Sequence, residues 1–346
     1  MQRCLEIARL GAGYTAPNPM VGCVIVHCGR IIGEGYHREY GGPHAEVHAI
    51  RSVSHPELLR DSTLYVNLEP CSHYGKTPPC ADLILHSGIP RVVIGTMDPN
   101  EEVSGRGIEK LRAGGVWVET GILQEDCRWL NRHFFTWQEK KRPYVILKWA
   151  QTLDGFIDAL REPGQPVQPV WISNELSRRL VHKCRSEVSS ILTGTNTALN
   201  DNPSLTVRSW AGKSPLRLVI DRKKRLPAHL SLFDGTVSTL VFTEVESESR
   251  PGVEFVTFPF ESDSIVRILS ELYQRKIQSV MVEGGANTLK QFIDSELWDE
   301  AWIFTGSGFF GAGTPAPRIT GTVAATEFLD DNRLTVLLNN EPDYKP

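Results

Sequence analysis

His44-Ala45-Glu46 is followed by Pro70-Cys71 and, after the eight residues Ser72 to Pro79, by Cys80. One imidazole and two thiols are soft-to-borderline donors that suit Zn²⁺. Three protein donors leave the fourth tetrahedral position open, which marks a catalytic rather than a structural centre. A water bound there has its pKa lowered toward ~7. Glu46 stands two residues past the histidine at a helix start, where it reaches that water and not the metal. The donors also frame a fold. His44–Val53 reads as a helix, Thr63–Leu68 as a strand running into Pro70-Cys71, and Cys80–Ser87 as a helix stopped by Gly88.

Working outward, residues 1–11 place Leu5, Ile7, Ala8 and Leu10 on one helical face. Val21–His27 and Ile31–Gly35 flank a turn at Cys28-Gly29-Arg30 and read as a hairpin. Arg91–Gly95 and Val116–Val118 read as strands, Ile108–Ala113 as a helix, and Cys127–Glu139 as one long helix. The order β-β-α-β-α-β-α-β implies a three-layer α/β domain. Lys140-Lys141-Arg142-Pro143 is a polar break, so the expected division is 1–142 and 143–346. The second part alternates again. Its expected strands are Tyr144–Ala150, Ser190–Gly194, Leu216–Asp221, Thr239–Phe242, Ser279–Val282 and Glu300–Thr305. Its expected helices are Asn174–Lys183, Ser264–Arg275 and Asn287–Asp294. Leu205-Thr206-Val207 reads as strand-like, and the Pro-rich Glu162–Pro169 as a loop.

Composition narrows the function. The 346 residues are 40% hydrophobic and 23% charged with a net charge of −4, an ordinary globular balance. Residues 1–142 carry 16 basic and 16 acidic side chains and the remainder 21 against 25, so neither part has a basic surplus for nucleic acid or anionic membrane. The longest apolar runs, such as Val21 to Val26, fall far short of the ~20 residues of a membrane helix. Met1-Gln2-Arg3-Cys4-Leu5-Glu6 contains no apolar leader core, and cytoplasm is the expected location. Six of seven cysteines and eight of ten histidines precede residue 143, which concentrates metal-capable chemistry in the first part. Cys4, Cys23, Cys28 and Cys127 fit no ligand spacing and read as packing or incidental thiols. His73 remains an alternative ligand on bare chemistry. His48, four residues after His44, reads as packing.

In the second part, Ser279–Val282 runs into Glu283-Gly284-Gly285-Ala286 and a helix. A strand, two glycines and a helix N-terminus together suit a pyrophosphate, because glycine admits close approach and the helix start offers unpaired N–H groups. The glycines at this junction are not spaced as G-x-G-x-x-G.

H-x-E with P-C-x-x-C is the pattern of zinc nucleobase deaminases, in which the glutamate shuttles the proton. The spacing here is longer, so a loop rather than a helix turn must return Cys80 to the metal. With the insert Ser72-His73-Tyr74-Gly75-Lys76-Thr77-Pro78-Pro79, and with Pro17-Asn18-Pro19-Met20-Val21-Gly22 and Gly35-Tyr36-His37 upstream, the sequence resembles the bifunctional deaminase–reductase family of riboflavin biosynthesis over nearly its whole length. The resemblance implies a cytidine-deaminase-like first domain followed by a dihydrofolate-reductase-like second domain. It implies Zn²⁺ on His44, Cys71 and Cys80, with Glu46 as proton shuttle. The implied reactions are loss of ammonia from 2,5-diamino-6-ribosylamino-4(3H)-pyrimidinone 5′-phosphate and NADPH reduction of its ribosyl group to ribityl. Lys76, His37 and Asn18 become candidates for that phosphorylated pyrimidine in the deaminase site.

Carried over by motif position, Gln151, Trp171, Ser173, Thr197, Asp201 and Arg222 would lie near NADPH. So would Gly285, Ala286, Asn287, Thr288, Leu289, Lys290 and Gln291. Arg185, Leu205, Arg208 and Glu283 would contact the substrate, the two arginines suiting a dianionic phosphate. Where relatives carry a lysine before an apolar pair, this sequence has Gly308-Phe309-Phe310-Gly311. A homo-oligomer is compatible with the sequence. The rival readings are a zinc deaminase of free cytidine or a tRNA adenosine with a repurposed second domain, and a non-catalytic zinc scaffold. The neutral charge opposes a tRNA substrate, and Glu46 opposes a scaffold.

Overall fold

Val21–His27, Thr63–Leu68 and Arg91–Gly95 are short runs with few polar residues. Such runs form strands where both faces of a sheet are covered. The computed structural model, which describes residues 1–72, 78–100, 104–160 and 170–339, divides the chain into two compact units, Met1–Lys141 and Arg142–Pro346.

In the first unit the strands are β1 (Gly22–His27), β2 (Arg30–Tyr36), β3 (Thr63–Leu68), β4 (Arg91–Thr96) and β5 (Trp117–Thr120). The helices are α1 (Gln2–Ala8), α2 (Ala45–Arg51), α3 (Cys80–His86), α4 (Arg106–Ala113), α5 (Gln124–Leu130) and α6 (Arg132–Lys140). The sheet order is β2-β1-β3-β4-β5. β1 runs antiparallel to β2 and β3, and β3, β4 and β5 are parallel. Successive strand side chains point to opposite faces. Accordingly Cys23 and Ile25 pack with Ala45 and Ala49 of α2 and Ala81 and Ile84 of α3, whereas Val24 packs with Cys4 and Ile7 of α1. The result is three layers. α3 ends where Gly88 takes the left-handed conformation, φ +70°.

The second unit has α7 (Glu175–Glu187), α8 (Thr195–Asp201), α9 (Ser264–Gln274) and α10 (Ala286–Asp294). Its strands are β6 (Tyr144–Gln151), β7 (Phe156–Ala159), β8 (Ser190–Gly194), β9 (Leu216–Ile220), β10 (Thr239–Thr243), β11 (Val253–Thr257), β12 (Ser279–Val282), β13 (Glu300–Thr305), β14 (Gly313–Pro315), β15 (Thr322–Leu329) and β16 (Asn332–Leu338). Nine of these form one sheet in the order β11-β10-β9-β8-β12-β6-β13-β16-β15, and β14 pairs with β7 apart from it. The strands from β11 to β13 in that order are parallel, and β16 is antiparallel to both neighbours. Val145, Leu147 and Trp149 face Ile265, Ile268 and Leu269 of α9 and Leu289 and Phe292 of α10. On the other side Tyr144 and Ile146 meet Cys184 of α7. β12 inserts between β8 and β6, and a crevice at strand C-termini beside such a break in chain order is where open α/β sheets bind ligands.

Three local expectations need correction. Cys127–Glu139 is two helices, because Asn131 leaves helical geometry and its side chain instead accepts from Met20 N and donates to Met20 O. Leu205–Val207 is not a strand. Both edges of β8 are already paired, Leu205 takes φ +51°, and its side chain enters the core with Ala198 and Val219. Strands β7, β11, β14, β15 and β16 were not expected. β11 and β15 are the edges of the main sheet, β7 and β14 lie outside it and β16 pairs within it beside the β15 edge, and polar residues such as Asp158, Glu254, Thr326, Glu327, Arg333 and Thr335 interrupt any apolar run. Glu162–Pro169 lies outside the described residues.

Candidate functional site

Local structure brings the three donors together. His44 is the residue before α2 and has extended backbone, Cys71 follows the end of β3, and Cys80 opens α3. His44 Nδ1 lies 3.5 Å from Cys71 Sγ and 3.3 Å from Cys80 Sγ, and the three ligand atoms fall within 4.8 Å of one another. Tetrahedral zinc, with bonds of ~2.0–2.1 Å to nitrogen and ~2.3 Å to sulfur, spaces its donors by roughly 3.5–3.8 Å. The set therefore fits zinc in both chemistry and spacing. The Cys80 backbone N–H donates to Cys71 Sγ at 3.3 Å. A hydrogen bond from the Cys80 thiol, and after it one from His44, holds the Cys71 thiol well below its ordinary range despite burial, and the same bond pushes Cys80 up. Glu46 is 3% exposed, and burial raises its carboxyl above the ordinary range. A buried carboxyl beside the open side of the donor set is suited to taking up and returning a proton.

The wall of this centre is tied by polar side chains. His37 is buried, with Nδ1 3.0 Å from Pro43 O, Nε2 3.0 Å from Asn18 Nδ2, and its ring 5.5 Å from that of His44. Asn67 and Asn131 hold the segment after Asn18. Asn67 accepts from Gly22 N and donates to Met20 O. Sequence reading brought out Asn18 and His37 but missed Asn67 and Asn131; a buried asparagine within an apolar strand was the available signal. His73 and Lys76 lie outside the described residues.

The second candidate site lies at the C-terminal ends of β8, β12 and β6. α8 starts directly after β8 and α10 follows β12 after three residues, and neither start is capped by the side chain of its own N-cap residue. A Cβ on Gly285 would lie 2.9 Å from Thr197 Oγ1, and one on Gly194 would lie 2.6 Å from Thr288 Oγ1. Glycine thus lets two helix N-termini stand side by side, a cradle suited to a pyrophosphate. Beside it Arg185 forms a two-pronged pair with Glu283, both contacts at 2.7 Å, and donates to Thr206 O. Lys148 Nζ stands 3.6 Å from Glu283 and 5.8 Å from the centre of the Phe304 ring. Burial alone would raise the Glu283 carboxyl, but Arg185 and Lys148 outweigh it and hold it at about 2. His182 Nδ1 accepts from Arg208 N at 3.2 Å; burial, then Arg185 and Arg208, hold its pKa down to about 4, so the imidazole is neutral.

Comparison with known proteins agrees with both halves. Residues 1–96 match the cytidine and deoxycytidylate deaminase zinc-binding region, and residues 143–337 match the RibD C-terminal domain. The riboflavin biosynthesis protein RibD of Aquifex aeolicus is 40% identical over 320 residues, covering 90% of this chain and 87% of that protein. Its namesake in Escherichia coli K12 is 35% identical, covering 90% and 88%. The chain belongs to the RibD family. A solved structure from Thermotoga maritima, described as a diaminohydroxyphosphoribosylaminopyrimidine deaminase and 5-amino-6-(5-phosphoribosylamino)uracil reductase, superposes with a TM-score of 0.89 at 41% identity, covering 98% of this chain and 97% of that one. Acinetobacter baumannii RibD gives 0.88 at 30%, covering 98% of each. As a RibD protein the chain is a bifunctional deaminase and reductase of riboflavin biosynthesis, with a zinc-binding deaminase domain and an NADPH-utilising reductase domain. None of its described helices is long and apolar enough to cross a membrane.

Within this RibD chain the remaining expected reductase residues sort by position. Gln151 ends β6 and accepts from Trp149 Nε1. Trp171 is 69% exposed with Arg178 over its ring, and Ser173 O accepts from the same arginine. Asp201 closes α8 at the end away from Thr197, and Arg222 is exposed and paired with Glu244 at 2.8 Å. Of the stretch after Gly285, Ala286, Asn287 and Thr288 form the first turn of α10. Leu289 is in the core, Lys290 pairs with Asp294, and Gln291 is exposed. Leu205 offers only backbone, because its side chain is in the core. Arg208 is exposed, whereas all three groups of Arg185 are engaged. Lys148 and His182 were missed. A lysine inside the apolar Tyr144–Gln151 run was the readable signal.

Proposed function

We propose that residues 1–142 deaminate 2,5-diamino-6-ribosylamino-4(3H)-pyrimidinone 5′-phosphate and that residues 143–346 reduce the ribosyl group of the product to ribityl with NADPH. The observation that carries this reading is the His44, Cys71 and Cys80 cluster with the buried Glu46 on the first turn of α2. His44 Nδ1 and the two Sγ atoms would hold zinc, which would supply an activated water. Glu46 takes up a proton of the attacking water on its carboxylate and passes it to the departing amino nitrogen, which leaves as ammonia as its bond to the ring carbon breaks. Asn18 and His37 face the pyrimidine or its ribose, and Lys76 meets the 5′-phosphate.

In the reductase half, the first turns of α8 and α10 bind the NADPH pyrophosphate, with Thr197, Gly285 and Thr288 at the contact. Gln151, Trp171, Ser173, Asp201 and Arg222 border the rest of the cofactor. NADPH supplies the hydride. Arg208 binds the substrate phosphate, and the Arg185–Glu283 pair sets the edge of the substrate site together with the Leu205 backbone. The chain acts in the cytoplasm. The test is an assay of the purified chain with the diaminopyrimidine ribotide. Ammonia should appear without NADPH, and NADPH oxidation should require prior deamination. Ammonia release from cytidine but not from the ribotide would sink the substrate assignment.

A further inference from the structure

Glu69 is the first residue after β3, immediately before Pro70-Cys71, and is 4% exposed. A carboxylate this buried requires full satisfaction, and the backbone of a distant segment provides it. Oε1 accepts from Gly107 N at 3.0 Å and Ile108 N at 3.3 Å; Oε2 accepts from Gly105 N at 3.0 Å and Asp98 N at 3.3 Å. Gly107 and Ile108 belong to the first turn of α4, whose amides have no partner within the helix. The N-cap residue Gly105 has no side chain to cap them. The negative charge also sits at the positive end of that helix. A second observation points to the same junction. A Cβ on Gly107 would lie 2.0 Å from Pro70 O, so α4 rests directly on the residue before the ligand Cys71.

We propose that Glu69 is a positioning residue of the metal centre. It clamps the start of α4 onto Pro70 and thereby fixes the chain that presents Cys71 Sγ to His44 Nδ1 and Cys80 Sγ. This rests on the zinc reading above, which zinc content and ammonia release of the parent chain test separately. Glu69→Gln keeps the volume but replaces one acceptor oxygen with a group that cannot accept from the amides. Outer supports of metal ligands typically contribute 10–100-fold to metal affinity, and a loss of about that size is expected. The measurement is zinc affinity and release rate of the folded full chain against a chelator, well below its unfolding temperature. Glu69→Asp, which keeps the carboxylate, should recover part of the affinity. Gly107→Ala, which leaves Glu69 intact but drives α4 off Pro70, should weaken zinc in the same way. A residue that only stabilised the fold would lower the melting temperature and leave zinc affinity of the folded chain at the parent value. That result in Glu69→Gln overturns the proposal. If Glu69→Gln does not fold, parent zinc affinity in Gly107→Ala overturns it.

Discussion

The two sites of this chain are built to different tolerances. In the first unit three donor atoms from three separate elements already lie within 4.8 Å. In the second, Trp171, Arg208 and Arg222 are exposed, and the part-buried Arg185 and Glu283 hold each other. A metal ion accepts donor positions only within a few tenths of an ångström, so the fold must supply them ready-made. A dinucleotide is held over a long surface by backbone N–H groups and scattered side chains, so the fold supplies space and helix starts instead. Side-chain loss should therefore be close to all-or-none in the first site and graded in the second.

Cys80→Ser should show the largest effect. A hydroxyl is a poor zinc ligand at neutral pH, so zinc content should collapse and ammonia release fall by ~10³-fold or more, while NADPH oxidation with the deaminated ribotide stays at parent level. Stoichiometric zinc in that variant would make the comparison wrong at its first term. Arg208→Ala comes next. Loss of a charge-assisted contact costs ~1.5–3 kcal/mol, or about 10–150-fold, and should appear as a raised KM for the deaminated ribotide with NADPH affinity and ammonia release unchanged. A loss of NADPH affinity at unchanged KM would assign Arg208 to the cofactor.

Gly285→Ala is milder. Its new Cβ would stand 2.9 Å from Thr197 Oγ1 and part the two helix starts. About tenfold weaker NADPH binding is expected, on the ~1–3 kcal/mol scale of overpacking, with KM for the ribotide little changed. Parent NADPH affinity by titration would remove the cradle from the account.

The smallest effect concerns pH. His182 is held at about 4 when folded against 6.5 in a free chain, by burial and by Arg185 and Arg208, opposed by Glu283. The unfolded chain therefore binds the extra proton first. Stability from keeping His182 neutral is present above about 6.5 and is lost as pH falls through about 4. His182→Asn should flatten the melting temperature against pH between those values. An unchanged slope would mean that His182 titrates as an ordinary surface group.

The same contrast governs what was legible in the sequence. Side-chain identity carries a metal site, so His44, Cys71, Cys80 and Glu46 stood out as candidates by chemistry, with His73 left as an alternative ligand until the resemblance chose the set, and His44, Cys71 and Cys80 are brought together. The central strands were equally plain, because burial on both faces leaves continuous apolar runs. The reductase site depends on how close two backbones come, and neither the Thr197–Gly285 nor the Gly194–Thr288 approach has a sequence signature beyond the glycine itself. Arg185 is carried over by motif position as a substrate contact; its pairing with Glu283, 98 positions away, has no local signal in the sequence. The edge strand β15 and its neighbour β16 escaped because polar residues on their solvent-facing positions break the apolar pattern.

The central claim is that Glu46 moves protons at a zinc centre that other residues hold, independently of the reductase. One preparation of Glu46→Gln tests it, measured for zinc content, ammonia release and NADPH oxidation. Zinc should remain stoichiometric, deamination should fall by at least the ~10²–10⁴-fold expected for lost general acid–base catalysis, and reduction of the deaminated ribotide should continue at the parent rate. Full deamination in that variant would contradict the account.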